Sequence, residues 1–268
     1  MSAPSRISQV RLLQLRDNFS GRDLAVLSQI AELKLMSGAQ IQAIHFRILD
    51  HATVDASARA SRRVLKRLVR EQLLVRLERR VGGIRGGSAG FVYGLAPLGQ
   101  RVLNIDGPRR RFREPSATFV AHTLALSQLV VDLIERQAAK QIELLRLQAE
   151  PRCWRHFSGP RGPQVLRPDL FVALGAGEYE YRWFIEMDLG TETMPRRLVK
   201  CAQYQHYFQS GQEQAEHGIF PRVLWCLPST DLAETLRRRI ERARDLSSEL
   251  FVTTTPEQLH AVLSGGAS

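Results

Sequence analysis

Three acidic residues and a lysine have the types and spacing for metal-assisted phosphodiester chemistry. Asp169 follows Arg167-Pro168 at the start of an apolar segment, and Glu186 and Asp188 stand two apart within Phe184-Ile185-Glu186-Met187-Asp188-Leu189. Side chains two apart on a strand share a face. The acids therefore point one way, and Ile185, Met187 and Leu189 the other. Acids on such a strand are costly to bury unless they are paired or metal-bound. Three carboxylates would make an oxygen site suited to Mg2+ or Mn2+. Lys200, a little further on, would polarise a phosphate or an attacking water. Lys200 and Tyr204 are four apart and share a helix face, as do Gln203 and Tyr207. A plainer reading stands beside this one. Asp169 would begin a strand, and Glu186 and Asp188 would form salt bridges with Arg167 and Lys200.

Elements of an α/β unit would position these residues. The pattern gives a helix over 116–137, a strand over 142–148, a loop around 158–163, and strands over 170–174 and 181–189. A helix over 195–209 follows, then a strand over 222–227, a helix over 231–245 and a strand over 250–254. Thr191 is a candidate N-cap before the helix that carries Lys200.

The N-terminal part reads differently. Periodicity gives helices over 24–36, 39–46 and 57–74, the last capped by Ser57. Ala58, Val64, Leu65, Leu68 and Val69 make its buried side. Arg59, Arg62, Arg63, Lys66, Arg67 and Arg70 recur along one face, with only Glu71 nearby to pair with them. Alternating residues 74–80, a glycine-rich turn at 82–90 and Phe91–Leu95 form a hairpin. Three helices and a hairpin follow the order of a winged helix-turn-helix. The 57–74 helix would enter the major groove of double-stranded DNA, and Arg79, Arg80 and Arg85 on the wing would reach phosphates or the minor groove. Asp106–Pro115, with Arg109, Arg110 and Arg111, reads as a basic linker. The expected domains are thus 1–105, a linker over 106–115, and 116–268.

Charge supports that division. Residues 1–115 hold 21 Lys and Arg against 9 Asp and Glu, a net of +12. Residues 116–268 hold 17 against 18, a net of −1. A basic excess confined to one part is the footprint of a polyanion-binding module. A general preference for arginine explains Arg over Lys, but not why acids fail to balance it in one part only. Three scattered cysteines without a CxxC fit a reducing cytoplasm and no zinc cluster. No apolar run approaches the roughly 18 residues of a membrane span, and the N-terminus lacks a signal peptide's apolar segment.

Pro168-Asp169 followed by Glu186-x-Asp188, on strands and before a helix, resembles the PD-(D/E)XK nuclease superfamily. Gln203-x-x-x-Tyr207 resembles the QxxxY motif of its RecB-like branch. Asp188 stands where that superfamily carries a lysine, which leaves Lys200 either as a migrated substitute or as an unrelated surface lysine of a domain that has lost activity. A longer match runs from the basic module through Phe119–Ala125 to Arg167-Pro168-Asp169, Phe184–Glu192 and Lys200-x-x-x-Tyr204. It resembles the replication-relaxation family of plasmids and integrative conjugative elements. That resemblance implies a PD-(D/E)XK restriction-endonuclease-like mixed sheet flanked by helices. It also implies a role at an element's origin in replication, relaxation or mobilisation. Asp169, Glu186, Asp188, Lys200, Gln203 and Tyr204 are then the candidate catalytic residues, the three acids also being the candidate metal ligands. The expected partners are double-stranded DNA, a relaxase or other origin-binding protein, and a second copy of the chain. Three functions fit: a DNA-binding accessory protein, a Mg2+-dependent endonuclease, and a transcriptional regulator of the element.

Overall fold

The computed structural model describes residues 12, 16–47, 53–77, 90–103, 113–159 and 162–265. The wing arginines Arg79, Arg80 and Arg85 and the linker arginines Arg109, Arg110 and Arg111 lie outside the described residues. The chain forms two compact units, Met1–Val131 and Asp132–Ser268.

In the first unit, α1 (Gly21–Leu33) begins at a capping box. The Ser20 hydroxyl accepts the Asp23 N–H at 3.2 Å, and the Asp23 carboxylate accepts the Ser20 N–H at 2.9 Å. This start lies three residues before the expected one. The helix also stops earlier, at Lys34 with φ 69°. That frees Leu35–Ser37 to form β1. A second capping box, Ser37 with Gln40, opens α2 (Gly38–His45).

The basic helix α3 spans Val54–Arg70, with Thr53 as its N-cap. Ser57 is not the cap. It is buried one turn inside the helix and donates its hydroxyl to the Phe46 carbonyl at 2.5 Å. The buried stripe is Ser57, Ser61, Leu65 and Leu68. Small hydroxyls on this stripe bring α3 close to α2, and an apolar pattern does not reveal them. Then come β2 (Leu74–Leu77), β3 (Val92–Leu95) and α4 (Pro97–Val102). The three strands make an antiparallel sheet in the order β1-β3-β2.

Helix α5 (Ala117–Ala138) matches the expected span. By length and composition it is apolar enough to cross a membrane, against the expectation that no run approaches this. Thr118, Thr123 and Ser127 interrupt its apolar runs without adding charge.

The second unit is built on a five-stranded mixed sheet ordered β10-β9-β8-β7-β4. Its strands are β4 (Glu143–Ala149), β7 (Leu170–Ala176), β8 (Tyr179–Met187), β9 (Arg222–Cys226) and β10 (Phe251–Thr254). The β8–β9 and β9–β10 pairs are parallel and the other two antiparallel. Ser158, Gly159, Gly162 and Pro163, expected in a loop, are strand residues of a separate antiparallel pair, β5 (Arg155–Gly159) with β6 (Gly162–Leu166).

The long helix α6 (Met194–Gln209) starts after Thr193 rather than Thr191. Short helices α7 (Gln212–His217) and α9 (Leu259–Leu263) lie outside the expected elements, whereas α8 (Thr230–Arg242) was expected. Cys201, Tyr204 and Tyr207 of α6 join Phe171, Phe184 and Trp225 of the sheet in one core. Tyr204 and Phe184 ring centroids lie 5.7 Å apart. On the opposite face of β8, the Trp183 ring N–H donates to the Leu263 carbonyl at 3.1 Å. Buried on both faces from Trp183 to Met187, this half of the strand reads as apolar except where Glu186 interrupts it.

Candidate functional site

The acids sit where β8 ends beneath α6. The β7–β8 register pairs Leu170 with Ile185. Continued by one residue, it sets Asp169 opposite Glu186. The Asp169 carboxylate accepts the Met187 N–H at 2.8 Å, which fixes it there. Two like charges directly opposed across strands repel. The chain meets this with α6. Arg197, Lys200 and Tyr204 fall at i, i+3 and i+7 and so share one helix face.

Each of these three side chains reaches a carboxylate. Lys200 donates to one oxygen of Glu186, and the Tyr204 hydroxyl donates to the other. The Arg197 guanidinium donates to Asp188 at 2.5 Å, and both side chains are buried. The second Asp188 oxygen accepts the Gly190 N–H at 2.7 Å. The acids thus divide: Glu186 takes both Lys200 and Tyr204, with Asp169 opposite it held by the Met187 N–H, while Asp188 belongs to Arg197.

Burial sets the charge states. It pushes the Glu186 carboxyl up to about 8, with the charge of Lys200 working against that rise and Asp169 reinforcing it. Burial works to lower the Lys200 pKa, but the charges of Glu186 and Asp169 outweigh it, and the ammonium is held above its ordinary value. Both pKa values are raised, which disfavours the charged form of Glu186 and favours that of Lys200. The Lys200 side chain keeps 24% of its surface exposed and Glu186 only 2%. Water therefore supports the ammonium, and Glu186 is the partner whose charged form burial disfavours. Burial, followed by the Glu186 charge, holds the Tyr204 phenol well above its ordinary value, so it remains a donor.

The carboxylate oxygens of Glu186 and Asp188 are engaged by protein donors. Among the described residues, no group of three His, Cys, Asp or Glu is placed to hold a metal ion. A divalent ion would have to displace Lys200 or Arg197 to bind here. The salt-bridge reading of Glu186 with Lys200 matches the structure, but Arg167 contacts neither Glu186 nor Asp188. Gln203 is exposed, off the face that carries Tyr204. Tyr207 is buried and donates to Glu213 at 2.5 Å, and Arg155 binds the same carboxylate at 3.0 Å. Arg197 escaped the sequence reading, although its spacing to Lys200 and Tyr204 was there to be read.

The second candidate surface is α3. Arg59, Arg62, Arg63, Lys66 and Arg70 are exposed. Arg67 differs from its neighbours. It turns inward to the buried Asp23 at 2.5 Å, a partner from α1 that the local sequence did not offer. Arg70 lies 3.7 Å from Glu71.

A family model described as Replication-relaxation matches residues 27–223, which takes in α3, Asp169, Glu186, Asp188 and α6. No curated protein and no solved structure matches the chain.

Proposed function

Because the chain belongs to the replication-relaxation family, we propose that it is a double-stranded DNA-binding accessory protein of a plasmid or integrative element. It would act in replication, relaxation or mobilisation at an origin. The observation that carries this reading is the row Arg59, Arg62, Arg63 and Lys66, exposed on one face of α3. Duplex DNA presents a dense row of phosphates, and release of their counterions drives most of the affinity of such a face. The order α1, α2, α3, β2, β3 supports a winged helix, with α3 as the element that enters the major groove.

The second unit then serves as a PD-(D/E)XK-like scaffold or partner surface, for a relaxase, another origin-binding protein or a second copy. As placed, its acids do not fit a divalent ion, because the cations of α6 already balance them.

Arg62→Ala with Lys66→Ala is expected to weaken binding of a labelled duplex roughly tenfold or more. The slope of log affinity against log salt should fall by about two, one for each lost phosphate contact. Fluorescence anisotropy over a salt series measures both, and unchanged binding would reject α3 as the DNA-reading helix. In the same preparation, supercoiled plasmid with Mg2+ or Mn2+ should stay intact. Nicking that disappears in Glu186→Gln would instead make the second unit a metal-dependent nuclease.

A further inference from the structure

Arg167 ends the segment that leads from β6 to Asp169. It is exposed, while Pro168 after it is buried. Its guanidinium lies over the Trp154 ring, 4.8 Å from the centroid. Among the described residues this stack is its one charged or polar contact. Its neighbours are used otherwise. Arg155 is bonded to Glu213 and Arg197 to Asp188.

The platform beneath Arg167 is fixed. The Trp154 backbone N–H donates to the Pro151 carbonyl at 3.1 Å. Its ring packs against the core of the second unit, and the ring N–H is buried without an acceptor. The adjacent Cys153 thiol donates to the Pro168 carbonyl at 3.0 Å. That bond ties the loop bearing Trp154 to the peptide between Arg167 and Asp169. Platform and guanidinium are thereby held on the segment that leads into Asp169.

A guanidinium has five N–H donors in its plane, and stacking occupies only its face. Arg167 therefore presents an oriented fork of donors to solvent, with no carboxylate to satisfy it. Such a fork matches the paired oxygens of a phosphodiester. It also places positive charge two residues from Asp169, an acid that would otherwise repel a phosphate.

We propose that Arg167, seated on Trp154, is a phosphate-binding anchor that docks a nucleic-acid backbone on the second unit, separate from the α3 face. The class of ligand rests on the DNA-binding reading above. The anchor itself rests on the Arg167–Trp154 geometry.

The test uses the full chain and a labelled duplex oligonucleotide, followed by anisotropy over a salt series. Arg167→Ala should lower affinity several-fold and reduce the salt slope by about one. Arg167→Lys keeps the charge but not the planar fork, and should recover only part of the loss. Both effects should persist in the Arg62→Ala, Lys66→Ala background. A normal affinity and slope for Arg167→Ala, alongside weakened binding by the α3 double variant, overturns the anchor and leaves the DNA reading intact. Full recovery by Arg167→Lys overturns the stacked fork in favour of simple charge. Failure of the wild type to bind any duplex overturns both readings. Arg167 is on the surface, so an unchanged thermal melt should accompany each variant.

Discussion

Arg197→Ala is expected to destabilise the second unit by about 3–5 kcal/mol, the usual consequence of removing one partner of a buried ion pair. The Arg197 and Asp188 side chains are 4% and 3% exposed, and their contact is 2.5 Å. Without the guanidinium, Asp188 keeps one protein donor, the Gly190 N–H, and no countercharge within reach in that pair. The loss therefore reflects a stranded anion more than a missing bond. Replacing both partners by leucine should lose far less than the single change, because well-packed apolar groups often substitute for a buried pair. Urea unfolding followed by tryptophan fluorescence measures this cleanly. Trp154, Trp183 and Trp225 all lie within Asp132–Ser268, so the signal reports that unit. A single-variant loss below about 1 kcal/mol would mean that water reaches Asp188, and the pair is then not a structural element.

The second expected result is a fall in stability with rising pH. Burial lifts the Glu186 carboxyl from its ordinary 4.5 to about 8. Between those values the folded chain holds a proton that the unfolded chain has released. Stability then declines as pH rises. The contribution is fully present below 4.5 and gone once pH has passed about 8. Lys200 contributes in the same sense, but only above its ordinary 10.5, outside that window. The midpoint of a fluorescence-detected melt should therefore drop steadily across the window in the wild type. In Glu186→Gln, which cannot release the proton, the curve should be flatter. A variant that tracks the wild type would assign the dependence to another group.

The strands around the acids were legible because alternation and apolar runs mark them, and the pairing of Lys200 with Tyr204 follows from helical spacing alone. The rest needed contacts distant in sequence. Asp188 finds Arg197 only after the chain turns at Gly190 and enters α6. Arg67 looks like one more base on a basic face until α1 brings Asp23 to it. The inner side of α3 is marked by Ser57 and Ser61, whose hydroxyls fit close helix contacts but carry no apolar signal. The β5–β6 hairpin was read as a loop because Gly and Pro at 159–163 suppress strand propensity, although backbone pairing there runs through to Gly159 and Gly162.

Helix α6 carries Arg197, Lys200 and Tyr204 in fixed phase against Glu186 and Asp188. One inserted residue turns everything beyond it by about 100°. An insertion between Arg197 and Lys200 would keep the first pairing and lose the other two. Deletions are equally discordant. Descendants of this chain can exchange side chains along α6 but cannot change its length there. Insertions and deletions should accumulate instead at turns, where no such phase is kept.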